Sequence, residues 1–308
     1  MAQQSEAQTL ARPVAVRARP SWQRTLAGQE GMIIGFIAVF AFLVFWEWVG
    51  TSGVVNPMFT SSPSRIIKAG DRLFFDGGIG AVFAALGAGN LSGAWTAIAK
   101  GSIWKDIWIS LQELLWGYGL AIVIGIPFGL MLGWFRRLNY VFEPFISALY
   151  ATPSVALLPL YIIWFGIGIN SKIAIIFMSA IFYLLMYARV GVTTVDANIL
   201  KCARSFGASD FQLLRTVVLP SSVPYLMTGA RLASGRALIG VVVGELYAAT
   251  AGVGYLITVA GATFQTDKVF VGVLIVTFAG VLLTTLIQRI EDRFSTWRPR
   301  IDEEASGA

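Results

Sequence analysis

Residues 114–135 of the chain read LLWGYGLAIVIGIPFGLMLGWF, twenty-two consecutive residues without a charged side chain. A helix crosses the hydrocarbon core of a bilayer with about 20 mostly apolar residues. The composition of all 308 residues agrees, since 56% are hydrophobic and only 13% are charged, whereas soluble domains carry about 25% charged residues. The sequence therefore predicts an all-α integral membrane protein rather than a soluble or disordered chain.

Six apolar runs with few or no charges are long enough for transmembrane helices. They are 32–49, 114–135, 144–171, 173–188, 224–249 and 269–288. Pro153 and Pro159 interrupt the third run, and only Lys172 separates it from the fourth, which predicts a tight hairpin. Two more uncharged segments, 77–99 and 246–266, contain several glycines, which disfavour a long helix. We interpret the first as an external loop or short surface helix, and the second half of the other as a gate-like or re-entrant element.

Basic residues are distributed asymmetrically about these spans. Fourteen lie in the N-terminal segment, the loops after spans two and four, and the C-terminal tail: Arg12, Arg17, Arg19, Arg24, Arg136, Arg137, Arg189, Lys201, Arg204, Arg215, Arg289, Arg293, Arg298 and Arg300. Seven lie in the alternate loops: Arg65, Lys68, Arg72, Lys100, Lys105, Lys172 and Lys268. Because cytoplasmic loops carry the excess of Lys and Arg, both termini are predicted to be cytoplasmic and segment 77–99 external.

This topology divides the chain into three parts. Residues 1–30 are predicted to form a basic, disordered cytoplasmic tail, residues 31–294 the transmembrane domain, and residues 295–308 a second cytoplasmic tail. The net charge of +6 follows from the topology, so it gives no reason to expect a nucleic-acid partner.

The composition also excludes several kinds of chemistry. The chain has no histidine and a single cysteine, Cys202, so imidazole-based catalysis, histidine metal sites and multi-cysteine metal sites are excluded. No GxxxxGK[ST] motif is present, so the chain does not bind ATP through a phosphate-binding loop. We therefore expect no cofactor, no metal and no enzymatic activity in this chain.

The long loop after the fourth span, beginning VDANILKCARSFGASDFQLLRTVVLP at Val195, contains signals for two short helices. Asp196 is a suitable N-cap, and Gly207 is positioned to end the helix that follows. Ser209 and Gln212 form a capping-box pattern for a second helix, which Pro220 is expected to limit. One face of the first helix carries Ile199, Leu200, Ala203 and Phe206, and it must bury against the spans or against a partner protein.

This loop resembles the coupling motif E-A-A-x3-G-x9-[IV]-x-L-P of bacterial ABC importer permeases. The matching residues are Ala203, Gly207, Val217, Leu219 and Pro220, whereas Lys201 and Cys202 replace the glutamate and the first alanine. Further segments resemble the permeases that serve nitrate, sulfonate, taurine and bicarbonate-type importers, namely Pro153, Ala156–Leu160, Trp164–Gly168, Ser171, Lys172, Thr228, Gly229, Arg231–Ala233 and Glu245.

The resemblance implies a six-helix permease of the bacterial inner membrane with a cytoplasmic two-helix coupling loop. Its expected partners are a second permease copy, cytoplasmic ATPase subunits that hold ATP and Mg²⁺, and a periplasmic or extracellular substrate-binding protein. The residues expected to couple to the ATPase are Lys201, Cys202, Ala203, Arg204, Gly207, Ala208, Leu219 and Pro220. The solute is expected to be small and anionic, and its exact identity is left open.

The candidates for the translocation pathway are Arg236, Glu245, Pro153 and Pro159. Ionisable side chains inside a membrane are costly and usually face the protein interior or water. Arg236 and Glu245 are nine residues apart, about 13 Å along a helix, so each needs a partner on another element. Lining of the pathway and a structural hydrogen bond to a neighbouring span both remain open for these two residues, as does a plain helix kink for the prolines.

The main alternative function is an ATP-independent secondary transporter or channel. Such transporters often contain two related halves, and residues 32–135 and 144–288 show no internal repeat. A membrane-embedded enzyme is disfavoured by the lack of histidine and of clustered carboxylates.

Overall fold

The computed structural model describes residues 21–56 and 58–294, and every regular element in these ranges is helical. The chain divides into two units, one ending at Val55 and the other beginning at Asn56. The first unit contains helix α1 (Ser21–Thr51), so the predicted disordered tail, residues 1–30, is helical from Ser21 onward. Its residues 1–20 and the predicted tail 295–308 lie outside the described residues.

The second unit opens with three short helices and one long one: α2 (Pro63–Phe74), α3 (Ile79–Gly87), α4 (Leu91–Ala99) and α5 (Ile103–Trp134). The segment 77–99, interpreted from the sequence as an external loop or short surface helix, thus forms a pair of short helices. Helix α4 begins where the Asn90 side chain accepts a hydrogen bond from the Gly93 N–H, which is the usual role of asparagine at an N-cap.

The third predicted span is sharply bent. It comprises α6 (Arg136–Ala151), a 3-10 turn (Ser154–Leu157) and α7 (Leu158–Phe165), and its two halves meet at 91°. Pro153 directly precedes the turn, and Pro159 lies in the first turn of α7, where its missing N–H costs no helical hydrogen bond. The interruption that the sequence predicts at Pro153 and Pro159 is thus a sharp bend rather than a mild kink.

The hairpin to the next helix is also displaced from its predicted position. Helix α8 (Ile169–Thr193) begins three residues before Lys172, so Lys172 lies inside the helix. The chain turns instead at Gly166 and Gly168, whose φ angles of 76° and 148° are accessible to glycine and strained for other residues.

The last part of the unit contains five helices and one π-helical turn: α9 (Ala197–Ser205), α10 (Asp210–Leu213), the turn Leu214–Val218, α11 (Leu219–Ala248), α12 (Val253–Ala262) and α13 (Thr266–Phe294). The prediction that Pro220 ends the second loop helix is wrong, because residues 210–248 run on as one helical segment. The π-helical turn precedes Pro220, and such wide turns accommodate a residue that cannot supply the regular N–H.

Five helices among the described residues are long and apolar enough to cross a membrane, and there are six spans when the bent pair is counted as one. This confirms the prediction of an all-α protein with six spans. The short apolar helix α12 occupies the second half of 246–266, where a gate-like or re-entrant element was predicted.

The core of the second unit lies where α8 packs between α5 and α11. Three glycines spaced four apart on α5, namely Gly125, Gly129 and Gly133, lie against α8, and a Cβ built at Gly129 would come within 2.7 Å of the Ala188 Cβ. Small residues at this spacing let membrane helices approach closely. On the other side of α8, a Cβ built at Gly229 of α11 would come within 2.6 Å of the Tyr187 Cβ.

Candidate coupling loop and translocation groove

The first loop helix, α9, has the boundaries that its sequence predicts. The Asp196 carboxylate accepts a hydrogen bond from the Asn198 N–H at 2.8 Å, which confirms the predicted N-cap. The helix ends before Gly207, whose φ of 79° lies in the left-handed region. The N–H of Gly207 donates to Arg204 O and that of Ala208 to Ala203 O, the pair of bonds that defines a Schellman motif.

The second loop helix, α10, starts two residues after this turn. The Gln212 N–H donates to the Ser209 hydroxyl, and the Ser209 N–H donates to the Gln212 side-chain oxygen, which confirms the predicted capping box. Arg204 and Asp210 form an exposed ion pair at 3.4 Å across the turn. The bend between α9 and α10 is therefore defined by backbone and cap hydrogen bonds rather than by burial.

Large apolar side chains on this bend are exposed. Phe206 is 88% exposed, Phe211 71% and Ile199 51%. We call these three residues the coupling face. None of the three was among the predicted coupling residues. Of those, Lys201, Cys202, Arg204, Gly207 and Pro220 are exposed, and Ala203, Ala208 and Leu219 are partly buried. The spans of this chain do not cover the coupling face, so it is available to a partner.

A second feature is a groove with a volume of about 390 Å³, which we call the Arg236 groove. It lies between the end of α6, the 3-10 turn, α8 and α11. The polar residues that line it are Tyr150, Thr152, Ser154, Ser179, Tyr183 and Arg236, and Pro153 also lines it. The Arg236 guanidinium lies over the Tyr183 ring, 5.1 Å from the centroid.

Glu245 lies apart from that groove and is 1% exposed. Its carboxylate accepts hydrogen bonds from the Ser110 hydroxyl at 2.5 Å and from the Gly254 N–H at 2.6 Å. Ser110 in turn accepts from the Val253 N–H, and the Asp106 carboxylate accepts from the Gly252 N–H. These side chains of α5 and α11 satisfy three N–H groups at the start of α12, which no intrahelical acceptor could reach.

A buried ion pair lies between α5 and α8. The Lys172 ammonium contacts the Glu113 carboxylate, and the side chains are 6% and 0% exposed. Removing two charges from water is costly, and the mutual attraction offsets that cost only when both partners are present. The pair therefore favours one relative position of α5 and α8.

Comparison with known proteins identifies the architecture. The family model described as the binding-protein-dependent transport system inner membrane component matches residues 125–296, more than half of the chain. The chain belongs to this family. It is the transmembrane permease subunit of an ABC transporter and a multi-pass protein of the inner membrane.

Curated relatives of this permease share most of its length. The taurine transport system permease protein of Escherichia coli is 29% identical over 92% of this chain and 95% of its own. A putative aliphatic sulfonates transport permease protein of Bacillus subtilis is 28% identical over 92% of each chain. A probable ABC transporter permease protein of Brucella abortus is 32% identical over 68% of this chain and 84% of its own.

Solved structures agree on the fold. The inward-facing MetNI methionine ABC transporter includes a chain that aligns with this permease at a TM-score of 0.51. The identity is 20%, and the alignment covers 62% of this permease and 93% of the other chain. An amino acid ABC transporter aligns at a TM-score of 0.50 with 17% identity, covering 61% and 92% of the two chains.

The structure separates the residues predicted for the pathway. Arg236 and Pro153 line the same groove, whereas Glu245 supports α12 and Pro159 lies in α7 outside the residues that line the groove. Sequence reasoning missed Glu113, because it marks the boundary of an uncharged run, and it assigned Lys172 to a loop. The available signal was the opposite charges at the edges of the second and fourth apolar runs, because ionisable residues of membrane segments usually pair with one another.

Proposed function

We propose that this permease works as a homodimer in an ATP-driven importer and carries a small sulfonate-like anion inward. Cytoplasmic ATPase subunits bind the coupling face of each copy, and an external binding protein delivers the solute. ATP and Mg²⁺ are held by the ATPase and not by this chain. Both termini and the coupling loop face the cytoplasm in this assignment.

The observation that carries the proposal is the exposed coupling face on a bend with defined geometry. Phe206 and Phe211 together present a large apolar surface to water, and aromatic residues at exposed positions are typical anchors of protein interfaces. The capped ends of α9 and α10 hold these side chains in a fixed relation. A compact bent helix pair can transmit a rigid-body movement to the spans that continue from it.

The substrate class is supported by the relatives and by one side chain. Two relatives are named for taurine and for aliphatic sulfonates, and both compounds carry a sulfonate group. Arg236 supplies a positive charge near the middle of α11, where an anion crossing the membrane would pass. A secondary transporter or channel would need no cytoplasmic surface for an ATPase, so the exposed coupling face favours the ATP-driven alternative.

The test replaces the centre of the coupling face and measures two properties in the same cells. Phe206→Ala should reduce co-purification of the ATPase subunit and taurine uptake at least about tenfold, since interface anchors contribute roughly 2 kcal/mol or more. Asn198→Ala is the matched control, because Asn198 is an exposed residue of α9 outside the predicted coupling residues, and it should leave both near the parental level. If Phe206→Ala leaves ATPase association and uptake unchanged, the loop only connects two spans, and the proposed binding of the ATPase to the coupling face is wrong.

A further inference from the structure

The Arg236 groove contains a positive charge that this chain does not neutralise. Arg236 lies near the middle of the 30-residue helix α11, and its side chain is exposed in the single permease chain. Charged side chains at this depth face the protein interior or a water-filled path. An exposed arginine at mid-span therefore marks the wall of an aqueous pathway rather than a surface in contact with lipid.

The nearby carboxylates of the described spans are engaged elsewhere. Glu113 is paired with Lys172, Glu143 with Arg189 and Glu291 with Arg231. Glu245 accepts its hydrogen bonds from Ser110 and Gly254. Among the residues that the structure describes, none places a carboxylate within ion-pair distance of Arg236, and none of the groove-lining residues is acidic.

The guanidinium is held in place by an aromatic ring. Its stacking on Tyr183 at 5.1 Å is a cation–π contact, and the Tyr183 hydroxyl also interacts with the guanidinium. A guanidinium has five N–H donors, so this contact leaves enough of them to bind an oxyanion with two parallel hydrogen bonds. Arginine suits this role because its planar fork matches the spacing of carboxylate, sulfonate or phosphate oxygens.

Hydroxyl groups complete the lining opposite the arginine. Ser179 Oγ lies 3.2 Å from Ser154 Oγ and 2.7 Å from Ile175 O, so the pair is held by the backbone of α8. Ser154 begins the 3-10 turn where the bent span changes direction, which exposes its hydroxyl to the groove. The sharp bend thus brings the Ser154 hydroxyl into the groove that Arg236 also lines.

We propose that the Arg236 groove is an anion-binding site of the permease itself, in which Arg236 and Ser154 bind the oxyanion group of the translocated solute. The inference rests on the proposed function. It adds that the permease selects for a negatively charged solute inside the membrane, after the binding protein has released that solute. The volume of about 390 Å³ lies within the range of small-ligand sites, about 300–1,000 Å³.

The first test measures the electrostatic field in the groove and needs no knowledge of the solute. Cys202 is the single cysteine of the chain, so Cys202→Ser gives a thiol-free background into which Ser154→Cys is introduced. The rates of modification of this thiol by the anionic reagent 2-sulfonatoethyl methanethiosulfonate and by its cationic trimethylammonium counterpart are then compared. Their ratio reports whether the groove attracts an anion.

Replacing Arg236 by glutamine should lower the anionic-to-cationic rate ratio by about fivefold or more, because a unit charge within several ångströms acts with opposite sign on the two reagents. Arg236→Lys should retain most of the ratio, which also separates loss of charge from loss of fold. The control thiol is the native Cys202 in the coupling loop, whose ratio should not change with Arg236→Gln. An unchanged ratio at position 154 overturns the proposal, provided that the same Arg236→Gln substitution in the chain that keeps Ser154 and Cys202 leaves the labelling of Cys202 normal.

The second test measures transport in proteoliposomes that contain the complete importer and its binding protein, with radiolabelled taurine as the probe. Arg236→Gln should raise the KM for the loaded binding protein or lower uptake at least about tenfold, whereas ATPase association stays parental. If the parental importer fails to carry taurine while the thiol ratio still falls, the anion site stands and the substrate in the proposed function is wrong. If taurine is carried equally well by Arg236→Gln, the site has no part in translocation and the inference fails.

Discussion

At the scale of single residues, Gly207 has the most specific requirement in the coupling loop. Nothing lies within 4 Å of a Cβ built at Gly207, yet its φ of 79° disfavours any β-branched side chain. A residue other than glycine in the left-handed region costs about 1–2 kcal/mol. The constraint at this position is therefore conformational and not steric.

We predict that Gly207→Val leaves expression and membrane insertion intact but abolishes ATPase association and ATP-driven uptake, because the strain displaces α10 relative to α9. Gly207→Asn is the matched control, since asparagine enters the left-handed region more readily, and it should retain a substantial part of both properties. The measurements are pull-down of the ATPase and solute uptake in the same cells. If Gly207→Val binds the ATPase and takes up solute at the parental level, the assignment of this loop as the coupling element loses its main residue-level support.

The buried pair Glu113–Lys172 gives a second residue-scale prediction. Glu113→Leu or Lys172→Met alone leaves one buried charge unpaired, which costs about 3–5 kcal/mol. The double variant Glu113→Leu with Lys172→Met removes both charges and should recover much of the stability. Thermal unfolding of the detergent-solubilised permease checks this, and additive effects of the two substitutions would show that the residues do not act as a pair.

At the scale of elements, the glycine face of α5 should decide how closely α8 packs. Gly129→Leu is predicted to disrupt the α5–α8 contact and lower the yield of folded permease severalfold, because its Cβ would already overlap Ala188. Gly119 lies on the same helix with nothing within 4 Å of a built Cβ, so Gly119→Leu should fold normally. Size-exclusion chromatography of solubilised protein distinguishes the two, and equal profiles would contradict the packing argument.

The elements that could be predicted from the sequence are those set by local signals. The α9–α10 bend can be predicted from the sequence because its signals act locally. They contact backbone groups within five residues of themselves, and they are Asp196, Gly207 and the Ser209–Gln212 capping box. Uncharged runs likewise reveal the spans, because the bilayer imposes their length. The positions of the caps and the number of spans were therefore within reach of sequence reasoning.

The features that could not be predicted depend on contacts between distant segments. Glu245 supports the start of α12 together with Ser110 of α5, which is 135 residues away in the sequence. No pattern in either segment indicates that the two side chains are in contact. Pro153 and Pro159 alone could not predict a bend as large as 91°, because prolines in membrane helices are also compatible with a mild kink. Pro220 was misjudged because a neighbouring π-helical turn accommodates it within a continuous helix.

At the scale of the whole molecule, the charge distribution makes a prediction about topology. Both termini should be cytoplasmic and the α3–α4 segment external, because the basic residues concentrate on the side of the coupling loop. Reporter fusions after Phe294 and inserted at Gly89, in the turn between α3 and α4, test the two sides. Activity of the same reporter at both positions would contradict the assignment.

The last prediction concerns the number of permease copies in the working transporter. One chain supplies a single coupling face and a groove that is open on one side, with Arg236 exposed. A closed translocation path needs a second wall, and soluble and membrane homo-oligomers most often supply it by two-fold symmetry. We therefore expect a homodimer with twelve spans and two coupling faces, each bound to one ATPase subunit. Native mass spectrometry of the purified importer should give two permease chains for every two ATPase chains.

A complex with one permease chain per ATPase pair would mean that this chain closes its pathway alone, and Arg236 would then have to find its counter-charge within the same chain.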